Sequence, residues 1–150
     1  MSTGATHADA YACARAWAAL STAHARVAEQ LAGALARTCG LSVNDFEVLL
    51  RLDRVAPPGL RLGELNPTVR LTQPSLSRMI ARLEQQGWVA RTGDPNDRRG
   101  VFVALTPTGR DVLGKAVPVH AQTIREVLLD RLTPAEQNLL ADVLTRIVQG

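Results

Sequence analysis

Apolar residues recur along most of this chain at every third or fourth position, the spacing of one helix face. Only after Gly87 does the repeat shorten to that of an extended strand. From about Ala8 to Thr38 an Ala-rich helical pattern runs without proline, and Cys39-Gly40 closes it with a glycine suited to a left-handed cap. Ser42, with Asp45 three residues on, opens a second helix carrying Phe46, Leu49, Leu50 and Leu52, which Pro57-Pro58-Gly59 stops. The stretch "LRLGELNPTV" predicts a short helix at most, with Pro67 ending it or lying in a turn. Thr72 caps the next helix, in which Leu76, Met79, Ile80 and Leu83 form one apolar stripe; Pro74 sits in the first turn, where its missing amide has no intrahelical acceptor, and Gly87 is the stop.

Beyond Gly87, "WVART" and "VFVAL" predict two strands joined by "GDPNDRRG", a hairpin with an Asp-Pro-Asn-Asp loop and a basic tip. Thr106-Pro107 restarts a helix that Pro118 is expected to kink or split and that runs to about Arg131. Thr133, Pro134 and Glu136 form a capping box ahead of a stripe of Leu139, Leu140, Val143, Leu144, Ile147 and Val148. Met1 to His7 is expected to be a loose tail. The order, helix, helix, short helix, helix, strand, strand, helix, helix, describes a mainly α chain: a helix-turn-helix core with a two-stranded wing, flanked by terminal helices.

Composition narrows the partners. The 150 residues suit one domain, and the 46% apolar and 21% charged content is that of a globular protein. The net charge of +3 is concentrated: between Arg61 and Arg110 eight arginines face four acids, Glu64, Glu84, Asp94 and Asp97. That excess lies in the stretch holding both the hairpin and the helix opened by Thr72. With its stripe turned inward, the outer face carries Gln73, Ser75, Ser77, Arg78 and Arg82, and such a face can enter a DNA major groove from its N-terminal end. Glutamine suits adenine, arginine suits guanine and serine is permissive. Arg82, one turn further along, reaches phosphate more readily than base. At the hairpin tip Arg98 and Arg99 suit a minor groove, with Asp94 or Asp97 pairing an arginine to hold it extended. The bland alternative is a solvated helix face.

The terminal helices exceed what a winged core needs. Alone they would leave the Leu139 to Val148 stripe in water, so they are expected to pack on each other and on a second copy. Two copies would present two recognition helices to a pseudo-palindromic site.

On these residues the chain resembles the MarR family of bacterial winged helix-turn-helix regulators, over about Ala8 to Val148. "LTQPSLSRMIARLEQQGWVART" is similar to the family's recognition helix and first wing strand, and "DRRGVFVALTPTGRDVL" to its wing and the start of its dimerisation helix. Asp97, Arg99, Val103, Leu105 and Thr106 match D-x-R-x-x-x-L-x-L-T with Val for the first Leu. One departure is "ELNPTVRL", where the family more often has "ELAEALGL", and Pro67 is expected to shorten that helix. The resemblance implies one domain over residues 1–150, with a winged core at about 42–106 and dimerisation helices at about 8–39 and 107–149. It further implies a homodimer on double-stranded DNA, usually a repressor, released by a small phenolic or lipophilic ligand or by oxidation of a cysteine.

Several residues carry alternatives. Trp17, His24 and Asp53 could line a ligand pocket, or be ordinary packing residues. Cys13 could be a peroxide-sensing thiol or an inert packing residue, with Arg15 the one cation near it in sequence; Cys39 reads as structural. At opposite ends of one helix the two cysteines would lie roughly 39 Å apart at about 1.5 Å per residue, out of disulfide reach. A winged module that binds protein rather than DNA is the other class of function. No H-E-x-x-H, P-loop, G-x-G-x-x-G or nucleophile elbow is present, and His7, His24 and His120 are scattered, so neither an enzyme nor a metal or other cofactor is expected. With no signal-peptide pattern and no apolar run long enough for a membrane span, a cytoplasmic protein is expected.

Overall fold

The computed structural model describes residues 7–150, and the expected tail lies outside them except for His7, which begins a helix. Six helices and a three-stranded antiparallel sheet are present among the described residues: α1 His7–Cys39, α2 Val43–Asp53, β1 Leu60–Arg61, α3 Leu62–Val69, α4 Gln73–Gln85, β2 Val89–Asp94, β3 Asp97–Leu105, α5 Pro107–Val127 and α6 Pro134–Gln149, with a 3₁₀ turn at Leu129–Arg131. The chain divides into two compact units. Ala32–Gln122 is the winged unit; residues up to Leu31 together with Thr123–Gly150 are the terminal unit.

The winged unit is built around one apolar cluster. Leu49 of α2, Leu65 of α3, Leu76, Ile80 and Leu83 of α4, and Val89 and Val103 of the sheet are all essentially inaccessible. At about 1.5–3 kcal/mol for each large side chain fully buried, this cluster fixes how α4 sits on the sheet. Local chemistry sets the helix ends. Ser42 accepts from the Asp45 amide at 3.1 Å while the Asp45 carboxylate accepts from the Ser42 amide at 2.9 Å. Thr72 caps α4, and Thr106 opens α5 with its hydroxyl donating to the Gly87 carbonyl at 2.6 Å and accepting from the Gly109 amide at 3.0 Å.

The sheet runs β1-β3-β2, with Leu60 opposite Val103 and Val89 opposite Leu105. Two glycines permit its close contacts. A Cβ at Gly59, whose φ is +103°, would lie 2.0 Å from the Val103 carbonyl oxygen, and one at Gly109 would lie 2.0 Å from that of Trp88.

Four expectations are corrected. Pro67 neither ends α3 nor lies in a turn, and Pro118 does not split α5, which runs continuously through it. In both cases the carbonyl four residues back, deprived of its donor, belongs to an exposed glycine, Gly63 or Gly114, where water can take the bond. The helix expected to reach Arg131 ends at Val127 and passes into the 3₁₀ turn. The wing loop is shorter than Asp-Pro-Asn-Asp: pairing continues to Asp94 opposite Asp97, leaving Pro95 and Asn96 as the turn, with a register shift at Gly93/Asp94. Backbone pairing tolerates the polar side chains there because the two aspartates satisfy local amides. Strand β1, two residues long, was not expected, having no room for a periodicity.

In the terminal unit α6 has the predicted capping box, with Glu136 accepting from the Thr133 amide at 2.8 Å; this hydrogen bonding holds the Glu136 carboxyl below its ordinary pKa. No residue of α6 is buried.

Candidate nucleic-acid interface

The outer face of α4 is organised from its N-terminus. The Thr72 hydroxyl accepts from the Ser75 amide at 3.4 Å and donates to the Ser75 Oγ at 2.9 Å. That same Oγ accepts from Arg78 Nη2 at 3.1 Å. Residues three apart lie one above the other on a helix, so Thr72, Ser75 and Arg78 form a hydrogen-bonded row along one side. Ser75 is half-buried, while Gln73, Ser77 and Arg78 are exposed. The row steadies the Arg78 guanidinium with a neutral partner and leaves its charge uncompensated.

Arg82 is placed differently. Its Nη2 lies 2.5 Å from Asp45 Oδ1, and the Asp45 side chain is 2% exposed. Asp45 also belongs to the cap of α2, so one carboxylate serves both the start of α2 and Arg82 of α4. At the other end of α4, Glu84 receives the Arg91 side chain at 2.6–2.7 Å and the Arg91 amide at 3.2 Å. The Arg91 contact holds the Glu84 carboxyl below its ordinary pKa. This ties the base of the wing to α4.

In the wing, Arg98 and Arg99 are exposed. The expectation that Asp94 or Asp97 would pair with an arginine of the wing tip is corrected: among the described residues neither forms an ion pair with Arg98 or Arg99, and both pair instead with Arg61 of β1, which bonds to Asp94 and lies 3.3 Å from Asp97, with its guanidinium 5.4 Å from the Phe102 ring centre. Each aspartate also accepts a backbone amide of the hairpin, Asp94 from Asn96 at 2.8 Å and Asp97 from Arg99 at 2.9 Å. Arg61 was not singled out from the sequence. Its partners lie more than thirty positions away, and only the signal of three charges in register across a sheet could have found it.

The remaining candidates lie elsewhere. Trp17 and His24, both exposed, are on α1 in the terminal unit; Asp53 is in the winged unit and receives Arg110 Nε at 2.9 Å. Cys13 is exposed on α1 and Cys39 is half-buried, both as free thiols. Among the described residues no group of three His, Cys, Asp or Glu is placed to hold a metal, and no helix is long and apolar enough to cross a membrane.

Comparison with known proteins gives concordant matches. The family model of the MarR family matches residues 41–101. The transcriptional regulator HosA of Escherichia coli O111:H- is 34% identical over 93 residues, covering 62% of this chain and 68% of that protein. Among solved structures, Sco3205, a MarR family transcriptional regulator from Streptomyces coelicolor in complex with DNA, superposes with a TM-score of 0.82 at 32% identity, covering 90% of this chain and 84% of that one. The Bordetella bronchiseptica protein BpsR, in a structure addressing regulation of its DNA binding by 6-hydroxynicotinic acid, gives a TM-score of 0.75 at 26% identity over 87% and 91% of the two chains.

Proposed function

The chain belongs to the MarR family of transcriptional regulators, and on that premise we propose that it is a homodimeric repressor that binds a pseudo-palindromic DNA site. The observation that carries the DNA-binding part is the division of labour among its arginines. Arg61, Arg82, Arg91 and Arg110 are neutralised by carboxylates of the chain itself, whereas Arg78 on α4 and Arg98 and Arg99 on the wing meet none among the described residues. Charge left unpaired on two neighbouring projections suits a polyanion.

In this reading Gln73, Ser77 and Arg78 face base edges in the major groove, with Thr72 and Ser75 holding Arg78 in position. Arg98 and Arg99 enter the flanking minor groove, and Asp94 and Asp97 hold the hairpin that carries them. Arg82 positions α4 through Asp45 and has only its outer edge to offer a phosphate. The exposed apolar residues of the terminal unit support the second copy: Leu139, Ile147 and Val148 of α6 are 62%, 67% and 86% exposed, and Tyr11 and Trp17 of α1 are 75% and 70% exposed. A two-fold pair would present its recognition helices about one helical turn, roughly 34 Å, apart. Control of DNA binding by a small ligand is supported by the likeness to BpsR, whose structure addresses such regulation by 6-hydroxynicotinic acid; a phenolic or lipophilic ligand is what the family resemblance implies.

Salt titration of binding to a duplex tests the core of this reading. Neutralisation of roughly six to eight phosphates by the dimer gives a log–log slope near −5 to −7, and a slope near zero favours a protein-binding module instead. Peroxide treatment of the bound complex, repeated on Cys13→Ser, tests the thiol: release confined to the native chain assigns sensing to Cys13, and release by both clears it.

A further inference from the structure

Three residues, Arg70, Leu71 and Thr72, separate the two helices of the helix-turn-helix, and the chain makes an unusual choice there. Arg70, the C-cap of α3, has φ 50° and ψ 38° and donates its amide to the Asn66 carbonyl at 2.9 Å. This is left-handed backbone, which glycine adopts freely and a residue with a Cβ resists. The other left-handed positions among the described residues, Gly40, Gly59 and Gly87, are all glycine. At Arg70 alone the chain retains a long cationic side chain against that preference. A residue kept in a disfavoured conformation where a simpler one would fit points to a use for its side chain.

The surroundings indicate the use. Arg70 is exposed, forms no ion pair among the described residues, and precedes the Thr72 cap of α4 by two positions. In a docked helix-turn-helix the second helix enters the major groove while the first crosses the sugar-phosphate backbone. The turn between them therefore passes the rim of the groove. A guanidinium there can grip a phosphate with two parallel N–H donors, which fixes the depth of the recognition helix without reading sequence.

We propose that Arg70 is a DNA-phosphate anchor at the turn between α3 and α4, retained at the cost of backbone strain. It rests on the DNA-binding reading above. The anchor is distinct from Arg78, whose contact is to a base, and from Arg98 and Arg99, which belong to the wing.

The test uses the full-length protein and a mixed-sequence duplex of about three helical turns, because a phosphate contact is independent of sequence. Binding is measured by fluorescence polarisation across a salt series for the native chain, Arg70→Gly, Arg70→Asn and Arg99→Ala, with thermal melts of each. Glycine and asparagine both tolerate the left-handed backbone, so the fold is kept and either variant suffices should the other fail to express. The expected result is a salt slope reduced by about one for each protomer in both Arg70 variants, with the Arg70→Gly melting temperature equal to or above the native one. Loss of charge contact with gain of stability is the signature of a residue kept for binding. A steep native slope that Arg99→Ala reduces and neither Arg70 variant changes overturns the anchor and leaves the DNA-binding reading standing. A native slope near zero overturns that reading, and the anchor with it.

Discussion

The two units of this chain solve the problem of apolar surface in opposite ways. The winged unit encloses it: residues from five helices and the sheet share a single cluster, and Arg61, Arg82 and Arg91 at its margin are paired with carboxylates of the same unit. The terminal unit leaves it in the open, with Ile147 and Val148 of α6 more than half exposed behind a fully formed capping box. Leu140, Val143 and Leu144 of α6 are half-buried within the single chain, and on the proposed function a second copy covers Leu139, Ile147 and Val148. Stability in the first unit should be intrinsic, and in the second it should depend on concentration.

The largest expected effect lies in the winged unit. Gly109→Ala would set a Cβ against the Trp88 carbonyl at 2.0 Å, and thermal melting should show a loss of about 3–4 kcal/mol that does not change with protein concentration. Next, Ile147→Glu, at a position 67% exposed in the single chain, should weaken self-association by about 1.5–3 kcal/mol for each side chain withdrawn from an interface. Sedimentation would show a shift towards monomer with the far-ultraviolet spectrum retained; an unchanged association constant would remove α6 from the interface.

A somewhat smaller loss is expected for Arg82→Ala. It strands the Asp45 carboxylate, but Arg82 is itself 46% exposed, so the cost should be about 2 kcal/mol, below the 3–5 kcal/mol typical of a pair buried on both sides. If Arg82 acts by positioning α4, duplex affinity should fall in step with stability while the salt slope stays near the native value.

The smallest effect concerns pH. His120 of α5 stacks on Phe46 of α2 at 4.4 Å and 17°, and loss of hydration lowers its pKa below 6.5, with Glu47 acting in the opposite direction. Because the folded value is depressed, the unfolded chain takes up the proton more readily. The contribution is complete above about pH 6.5 and is lost as the pH falls through the folded value. Melting temperatures measured from pH 7 downwards should decline slightly less steeply for His120→Gln than for the native chain.

What could be read in the sequence follows the range of the forces involved. Ser42 with Asp45, Thr72 with Ser75, and Thr133 with Glu136 settle helix starts within three residues, and each was legible. The face of α4 carrying Gln73, Ser77 and Arg78 was legible as the complement of the Leu76, Met79, Ile80 and Leu83 stripe. Arg61 was not, because its role depends on strand register, and neither was the commitment of Arg82 to a carboxylate 37 positions away. Pro67 and Pro118 misled for a related reason. A rule about the proline alone omits the glycine four residues earlier that relieves it.

Arg61 has one more consequence. Its backbone opens α3, with its amide donating to Glu64 at 2.6 Å, while its side chain grips both aspartates of the hairpin. The hairpin and the first helix of the motif are thereby linked through a half-exposed ion pair, and a restrained relative angle is the expected consequence. On the proposed function, a target whose grooves are out of phase with that angle must bend or twist to be accepted. Preference among sites would then follow how readily each duplex deforms, including at base pairs that no side chain touches.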